Sequence, residues 1–317
     1  MNRYIAHLIT IFHDTTRTSL ILFRIMIPVS IIVKILELTG LIEHIGDLLT
    51  PLMQFLGLPG STGLIWATAM ITNIYGGIIV FITIASEQAF TIAQATILGS
   101  MILIAHSLPV EVTIARKAGI KAWFTVFFRI ISAIIFGYIL HSTFSAFHLL
   151  QSPSTMAWTK VTTNATIPDW ILSQLNNYVM IFSIIFLLLL LMSILKKIGI
   201  IEKLNQFMEP GLEKIGLSKQ AAPLTIIGTT LGISYGGGII IDEAQSGNLS
   251  KKDAFLSVSL MGLSHSLIED TLLMMTIGAS LIGILFGRVL FSILLMILLI
   301  NVIQRISTHT FHRYFCT

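Results

Sequence analysis

Apolar residues run through this chain in long blocks, and the polar residues that interrupt them fall in a repeating order. The first block, 18–39, is long enough to cross a bilayer as one helix. Next, Leu41, Ile42, Ile45, Leu48, Leu49, Leu52 and Phe55 recur at helical spacing, while Glu43, His44 and Asp47 fall on the other face. This stretch, 41–56, is too polar to span and predicts a helix lying in the interface. Residues 61–73 and 76–86 are two short apolar pieces joined at Asn73-Ile74-Tyr75-Gly76-Gly77. At about 1.5 Å per residue each is under about 20 Å long, against an apolar core of about 30 Å. A re-entrant hairpin fits, with a single helix softened in its middle as the rival. The block 90–118 is interrupted at His106-Ser107-Leu108-Pro109, where proline removes a backbone donor and disfavours helix before it. That predicts a broken helix, 90–105 plus 109–118. A full helix over 122–143 follows, then a connection, 144–169, rich in Ser, Thr, Asn and Pro.

The second half repeats this order. A helix over 170–195 is followed by an amphipathic stretch, 197–215, and a hairpin, 220–246, with its tip at Ser234-Tyr235-Gly236-Gly237-Gly238. A broken helix over 252–279, interrupted at His265, leads to a last helix over 283–303. His106 and His265 lie 159 positions apart, as do Ser107 and Ser266, Glu111 and Asp270, and Arg129 and Arg288. Gly40, Glu43, Pro51, Gly57 and Leu58 recur at the same offset as Gly199, Glu202, Pro210, Gly216 and Leu217. The chain therefore reads as one membrane domain, 1–317, containing repeat 1 (18–143), a periplasmic connection (144–169) and repeat 2 (170–305).

Composition sets the solvent. Hydrophobic residues make up 55% and charged residues 11%, against about 25% charged in a soluble domain. The fold class is an all-α polytopic membrane protein. Charge placement then orients the repeats. If each hairpin dips and returns, each repeat crosses three times and the second is inverted. One side then holds the N-terminus, 116–121, 196–219, 251–252 and the C-terminus, with fourteen of the 19 Lys and Arg residues. The other side holds Lys34 and Lys160, and Arg24, Arg129 and Arg288 stay within the membrane. If the hairpins span, the same charges divide almost evenly. The positive-inside rule favours inverted repeats with both termini cytoplasmic, in a bacterial inner membrane. No cleaved signal is expected at the N-terminus. The single cysteine, Cys316, permits no intrachain disulfide.

Candidate chemistry gathers at the interruptions. A carboxylate at bilayer depth costs roughly 2.5–3.5 kcal/mol on insertion scales, so Glu111, Glu269 and Asp270 need compensation. Each lies four or five residues from a histidine, and His with a carboxylate can hold a divalent cation or relay a proton. His106, Glu111, His265, Glu269 and Asp270 are the candidate metal ligands. Asn73, Tyr75, Ser107, Ser234, Tyr235 and Ser266 complete a candidate substrate site where the four tips converge, with Arg129 and Arg288 as charge partners or snorkelling anchors. The bland alternative, a histidine and an acid satisfying each other inside a bundle, stands beside this for each island. There is no nucleotide-binding glycine loop, no zinc-type cysteine pair and no soluble catalytic domain, so an enzyme is not expected.

The order of elements resembles the concentrative nucleoside transporter architecture. Gly-Leu-Ser-His-Ser-Leu-Ile-Glu-Asp-Thr at 262–271 and Ser-Tyr-Gly-Gly-Gly at 234–238 resemble the membrane nucleoside recognition, or Gate-domain, group. That group is related to the membrane part of ferrous-iron transporters and to spore-maturation membrane proteins. The resemblance covers about 20–305 and implies a permease working by alternating access. The Gln-Thr-Glu cluster of nucleoside transporters has no counterpart here, and neither have the cysteine motifs and GTPase domain of the iron transporters. The substrate is expected to be nucleoside-like or a divalent metal ion, with Na+ or H+ as a coupling cation. The expected partners are the lipid bilayer and that small-molecule or ion substrate, with a homo-oligomer left open and no nucleic acid. A non-transporting partner or sensor subunit of the spore-maturation type is the rival.

Overall fold

The computed structural model describes residues 3–158 and 166–317, apart from the side chains at 3, 4, 6, 86, 87 and 233–235. Lys160 and the side chains of Ser234 and Tyr235 therefore lie outside the described residues. Helices account for the named elements, and no named strand occurs among the described residues. The first half contributes α1 (Arg3–Leu38), α2 (Leu41–Phe55), α3 (Thr62–Ile71), α4 (Ile74–Glu87), α5 (Ile92–Ile104), α6 (Leu108–Lys117) and α7 (Ala122–Ala146). The second half contributes α8 (Ile167–Lys197), α9 (Ile200–Ile215), α10 (Ala221–Leu231), α11 (Ile233–Gln245), α12 (Lys251–Ser264) and α13 (Glu269–Met275). A π-helical stretch (Ile282–Gly287) then leads into α14 (Arg288–Arg305), and α15 (Thr308–Phe315) ends the chain.

Among the described residues, five helical segments are long and apolar enough to cross a membrane: His7–Leu38, Ile92–Lys117, Ala122–Ala146, Ile167–Lys197 and Ile282–Arg305. They differ in depth within the bundle. The most apolar window of Ile92–Lys117 is 61% buried by protein, against 28% for His7–Leu38 and 22% for Ile167–Lys197. The last two therefore form an outer pair. Large apolar side chains such as Leu20, Ile32, Leu172 and Leu187 stand exposed there, an arrangement that suits acyl chains rather than water. Ser30 Oγ lies 2.8 Å from Tyr178 Oη, and Phe12 meets Phe182 edge to face, which staples α1 to α8 antiparallel.

At the centre lie α5 and α12. Beyond their first turns their sequences are apolar or small on every face, and there every residue of each is buried. Thr91 starts α5 with a capping box to Gln94, and Ser250 caps α12 through the Asp253 amide. Both helices stop short of a full crossing.

Backbone bonds tie the chain into two groups at opposite ends of Ile92–Lys117. At one end the Lys121 amide donates to Phe315 O (2.9 Å), the Thr317 amide to Gly119 O (2.9 Å) and Gln245 Nε2 to Lys117 O (3.4 Å). At the other, the Ile92 amide donates to Ser152 O (3.0 Å), Ala157 to Thr276 O (2.9 Å) and the Ser280 amide to Thr96 Oγ1 (2.8 Å). Ser61 Oγ donates to Gln88 Oε1 (3.1 Å), so the start of α3 and the end of α4 sit together.

Three features depart from the sequence reading. The first helix begins at Arg3, not near 18, because the N-terminal polar residues fall on a helix that packs along α8, where His7 Nε2 meets Ser193 Oγ at 2.7 Å. The last crossing opens with a π-helical stretch. The C-terminal residues form α15, whose Phe311 and Phe315 close over Phe124 and Phe255.

Candidate functional site

The site forms where α5 and α12 stop. α5 ends at Ile104, midway along its span, and Ser107 then takes a left-handed conformation (φ +48°) before α6. α12 ends at Ser264, and Ser266 adopts the matching conformation (φ +47°) before α13. A left-handed non-glycine residue costs roughly 1–2 kcal/mol, so something must hold each break open. The hairpins do this. The Ser107 amide donates to Ala69 O of α3 at 2.9 Å, and the Leu267 amide donates to Thr229 O of α10 at 3.0 Å.

The breaks release His106 and His265 towards each other. Each ring donates its Nδ1–H to a carbonyl one turn back, His106 to Ile102 O and His265 to Met261 O, both at 2.8 Å. The ring centroids are 4.9 Å apart, and the two Nε2 atoms are 3.1 Å apart. Both residues are buried, at 5% and 3% exposure. The acids of the two islands gather on the same point. Glu111 Oε1 lies 3.9 Å from His106 Nε2 and 3.7 Å from His265 Nε2, and Asp270 Oδ2 lies 3.9 Å from His265 Nε2. The ligand atoms of His106, His265 and Asp270 all fall within 4.8 Å of one another.

The arginines frame this centre unequally. Arg129 is fully buried. Its Nε donates to Ile104 O (2.7 Å), its Nη1 donates to His106 O (3.1 Å), and it forms an ion pair with Glu111. It thus satisfies two carbonyls that the end of α5 leaves without helical partners. Its stem lies along Gly262 of α12, where a Cβ would come 3.4 Å from Arg129 Cδ. Arg288 is also fully buried, but its nearest hydrogen bond is a long one, Nη2 to Thr271 Oγ1 at 3.5 Å. Among the described residues its Nε and Nη1 have no hydrogen-bond partner. Among the described residues it has no carboxylate within 4.0 Å.

The structure thus brings together His106, His265, Glu111 and Asp270. Glu269 sits beside Asp270 in the first turn of α13, and both lie within electrostatic reach of Tyr75 on α4. Asn73 does something else: its Oδ1 accepts from the Gly76 amide at 2.9 Å, capping α4. Ser107 and Ser266 serve as the two backbone hinges. Ile102 O, Met261 O and Thr271 were not found from sequence, because backbone carbonyls carry no side-chain signal and Thr271 is one threonine among many.

Comparison with known proteins agrees with a membrane fold. The chain is 24% identical over 291 residues to an uncharacterized membrane protein, YvoD, of Bacillus subtilis (strain 168), spanning 88% of this chain and 89% of that relative. No solved structure matches. Residues 178–284, which include the His265 break and the hairpin before it, match the model of the Gate family, described as nucleoside recognition.

Proposed function

We propose that this protein is a permease that moves a small polar solute or ion across a bacterial inner membrane by alternating access. The observation that carries the reading is the meeting of His106 and His265 at two helix breaks inside a bundle whose rim faces lipid. Positions 159 residues apart come within hydrogen-bonding distance, each on its own broken helix and each break tied to its own hairpin. Broken helices that place polar groups at mid-depth are the usual binding device of inverted-repeat transporters.

Two re-entrant hairpins and an inverted second repeat belong to this reading, with repeat 1 over 18–143 and repeat 2 over 170–305. Ser61 and Gln88 at the foot of α3–α4, and Gln245 beside Lys117 at the foot of α10–α11, support hairpins that return to the side they left. The two feet lie near opposite ends of Ile92–Lys117, which supports inversion. The lysine and arginine distribution supports cytoplasmic termini. The family description points to nucleoside-like solutes, and the residues at the breaks point to an ion.

Flux into proteoliposomes tests this directly. Uptake of radiolabelled uridine, or of zinc, manganese or ferrous ion, is expected for one of them, and His265→Ala is expected to reduce it to background. Wild-type protein that moves none of these favours a partner or sensor subunit. Flux that survives both His265→Ala and Glu269→Ala removes the site assignment.

A further inference from the structure

We infer that the paired histidines, with Glu111 and Asp270, form a binding site for a divalent transition-metal ion of the zinc or cobalt kind. The inference deepens the permease reading by naming its substrate class, and only the role of the ion as cargo rests on that reading.

The geometry of the rings carries it. Both Nδ1 atoms face carbonyl oxygens, which can only accept, so each Nδ1 bears the ring's hydrogen. In the neutral ring Nε2 is then a bare lone pair. Two such lone pairs face each other at 3.1 Å in a buried site. They repel unless a positive centre joins them. Nitrogens bound at about 2.0–2.1 Å to one tetrahedral ion stand about 3.3 Å apart, close to the spacing seen here. The carbonyl bonds are also the support that metal-binding imidazoles need, since they fix the tautomer and aim the ring.

The carboxylates complete the set. Among the described residues Glu111 Oε1 is buried with no hydrogen-bond partner, although it lies 3.7 and 3.9 Å from the two Nε2 atoms. Asp270 Oδ2 stands 3.9 Å from His265 Nε2 on another side. Tetrahedral ligands on a common ion are about 3.4 Å apart, so a closure of a few tenths of an ångström brings Glu111 Oε1 to both ring nitrogens and Asp270 Oδ2 to His265 Nε2, while Asp270 lies within 4.8 Å of His106. A shared proton would join the two nitrogens but leave Glu111 Oε1 without a partner. An ion accounts for all of these acceptors together. Two imidazoles select zinc, cobalt, iron or nickel over magnesium and calcium, which take oxygen ligands.

The charge balance agrees. Glu111, Glu269 and Asp270 outnumber Arg129 and Arg288 by one negative charge, which draws a cation rather than a neutral solute.

The test uses the full chain in detergent, carrying a tag without histidine and stripped of metal. Calorimetric titration with Zn²⁺ is expected to give one tight site per chain, Mg²⁺ none, and Co²⁺ the intense visible bands of a tetrahedral ion. His106→Gln and His265→Gln should each weaken Zn²⁺ binding at least about a hundredfold, beyond the range typical of an outer-shell change. Glu111→Gln, close in shape and read alongside thermal unfolding, covers the case in which a histidine variant fails to fold. A well-folded wild type that takes up no zinc or cobalt, or binds them unchanged in all three variants, overturns the inference. Zinc binding without flux retains the metal site and removes the permease, whereas uridine flux without zinc binding does the reverse.

Discussion

Arg129 and Arg288 occupy the same position in the two halves, yet their surroundings are opposite. Arg129 engages two carbonyls at the end of α5 and pairs with Glu111. Arg288 is equally buried and leaves two nitrogens without partners. Two local differences accompany this. Gly262 gives Arg129 room against α12, whereas the corresponding residue in α5 is Leu103. A π-helical stretch, Ile282–Gly287, precedes Arg288, and it adds a residue per turn where Ala122–Ala146 stays α-helical throughout. Matching positions in the two halves do not enforce matching contacts: one small residue and one wide turn separate a charge network from a buried cation with little to hold.

The sharpest test of that contrast is a pair of isosteric neutralisations. Arg129→Met strands Glu111 and two carbonyls, and should cost about 3–5 kcal/mol, as breaking a buried pair by removing one partner does. Arg288→Met removes a charge with one long bond, and should change stability by less than about 1 kcal/mol in either direction. Equilibrium unfolding in mixed SDS micelles measures both, and equal losses would erase the difference between the halves. Next in size, Gly262→Leu copies the first half's residue into the second and pushes on the Arg129 stem, at about 1–3 kcal/mol by the same measurement. The mildest effect is expected at the hinges. Ser107→Gly and Ser266→Gly both relieve a left-handed serine, and each should stabilise by less than about 1 kcal/mol. Because the two φ angles are nearly equal, the two gains should match, and a clear mismatch would show that the breaks are held unequally.

Much of this was legible in the pattern of polar interruptions. Pro109 and the polar runs at 106 and 265 mark the ends of α5 and α12, since a histidine and an acid in an apolar block must meet a partner. The amphipathic stretches at 41–56 and 197–215 became α2 and α9 for the same reason: one face of each is charged. The full length of α1 was hidden, because Arg3, His7 and Arg17 lower the hydropathy of a segment that α8 nevertheless keeps helical. The π-helical stretch left no mark, since Gly283 and Gly287 suit an ordinary helix contact as well. At the site, the residue types were readable and their geometry was not. Which nitrogen of each histidine faces its partner depends on carbonyls at Ile102 and Met261, and carbonyls are the same in every residue. Asn73 shows the converse: a polar residue at a glycine-rich tip whose oxygen closes a helix end instead of facing a ligand.

The bonds from Ala69 to Ser107 and from Thr229 to Leu267 have a kinematic consequence. Each couples a hairpin to backbone one or two residues from an imidazole that faces its twin. A displacement of α3 is delivered to the peptide beside His106, and a displacement of α10 to the segment just past His265, with no flexible side chain between to absorb it. The spacing of the two ring nitrogens is therefore geared to the position of both hairpins at once.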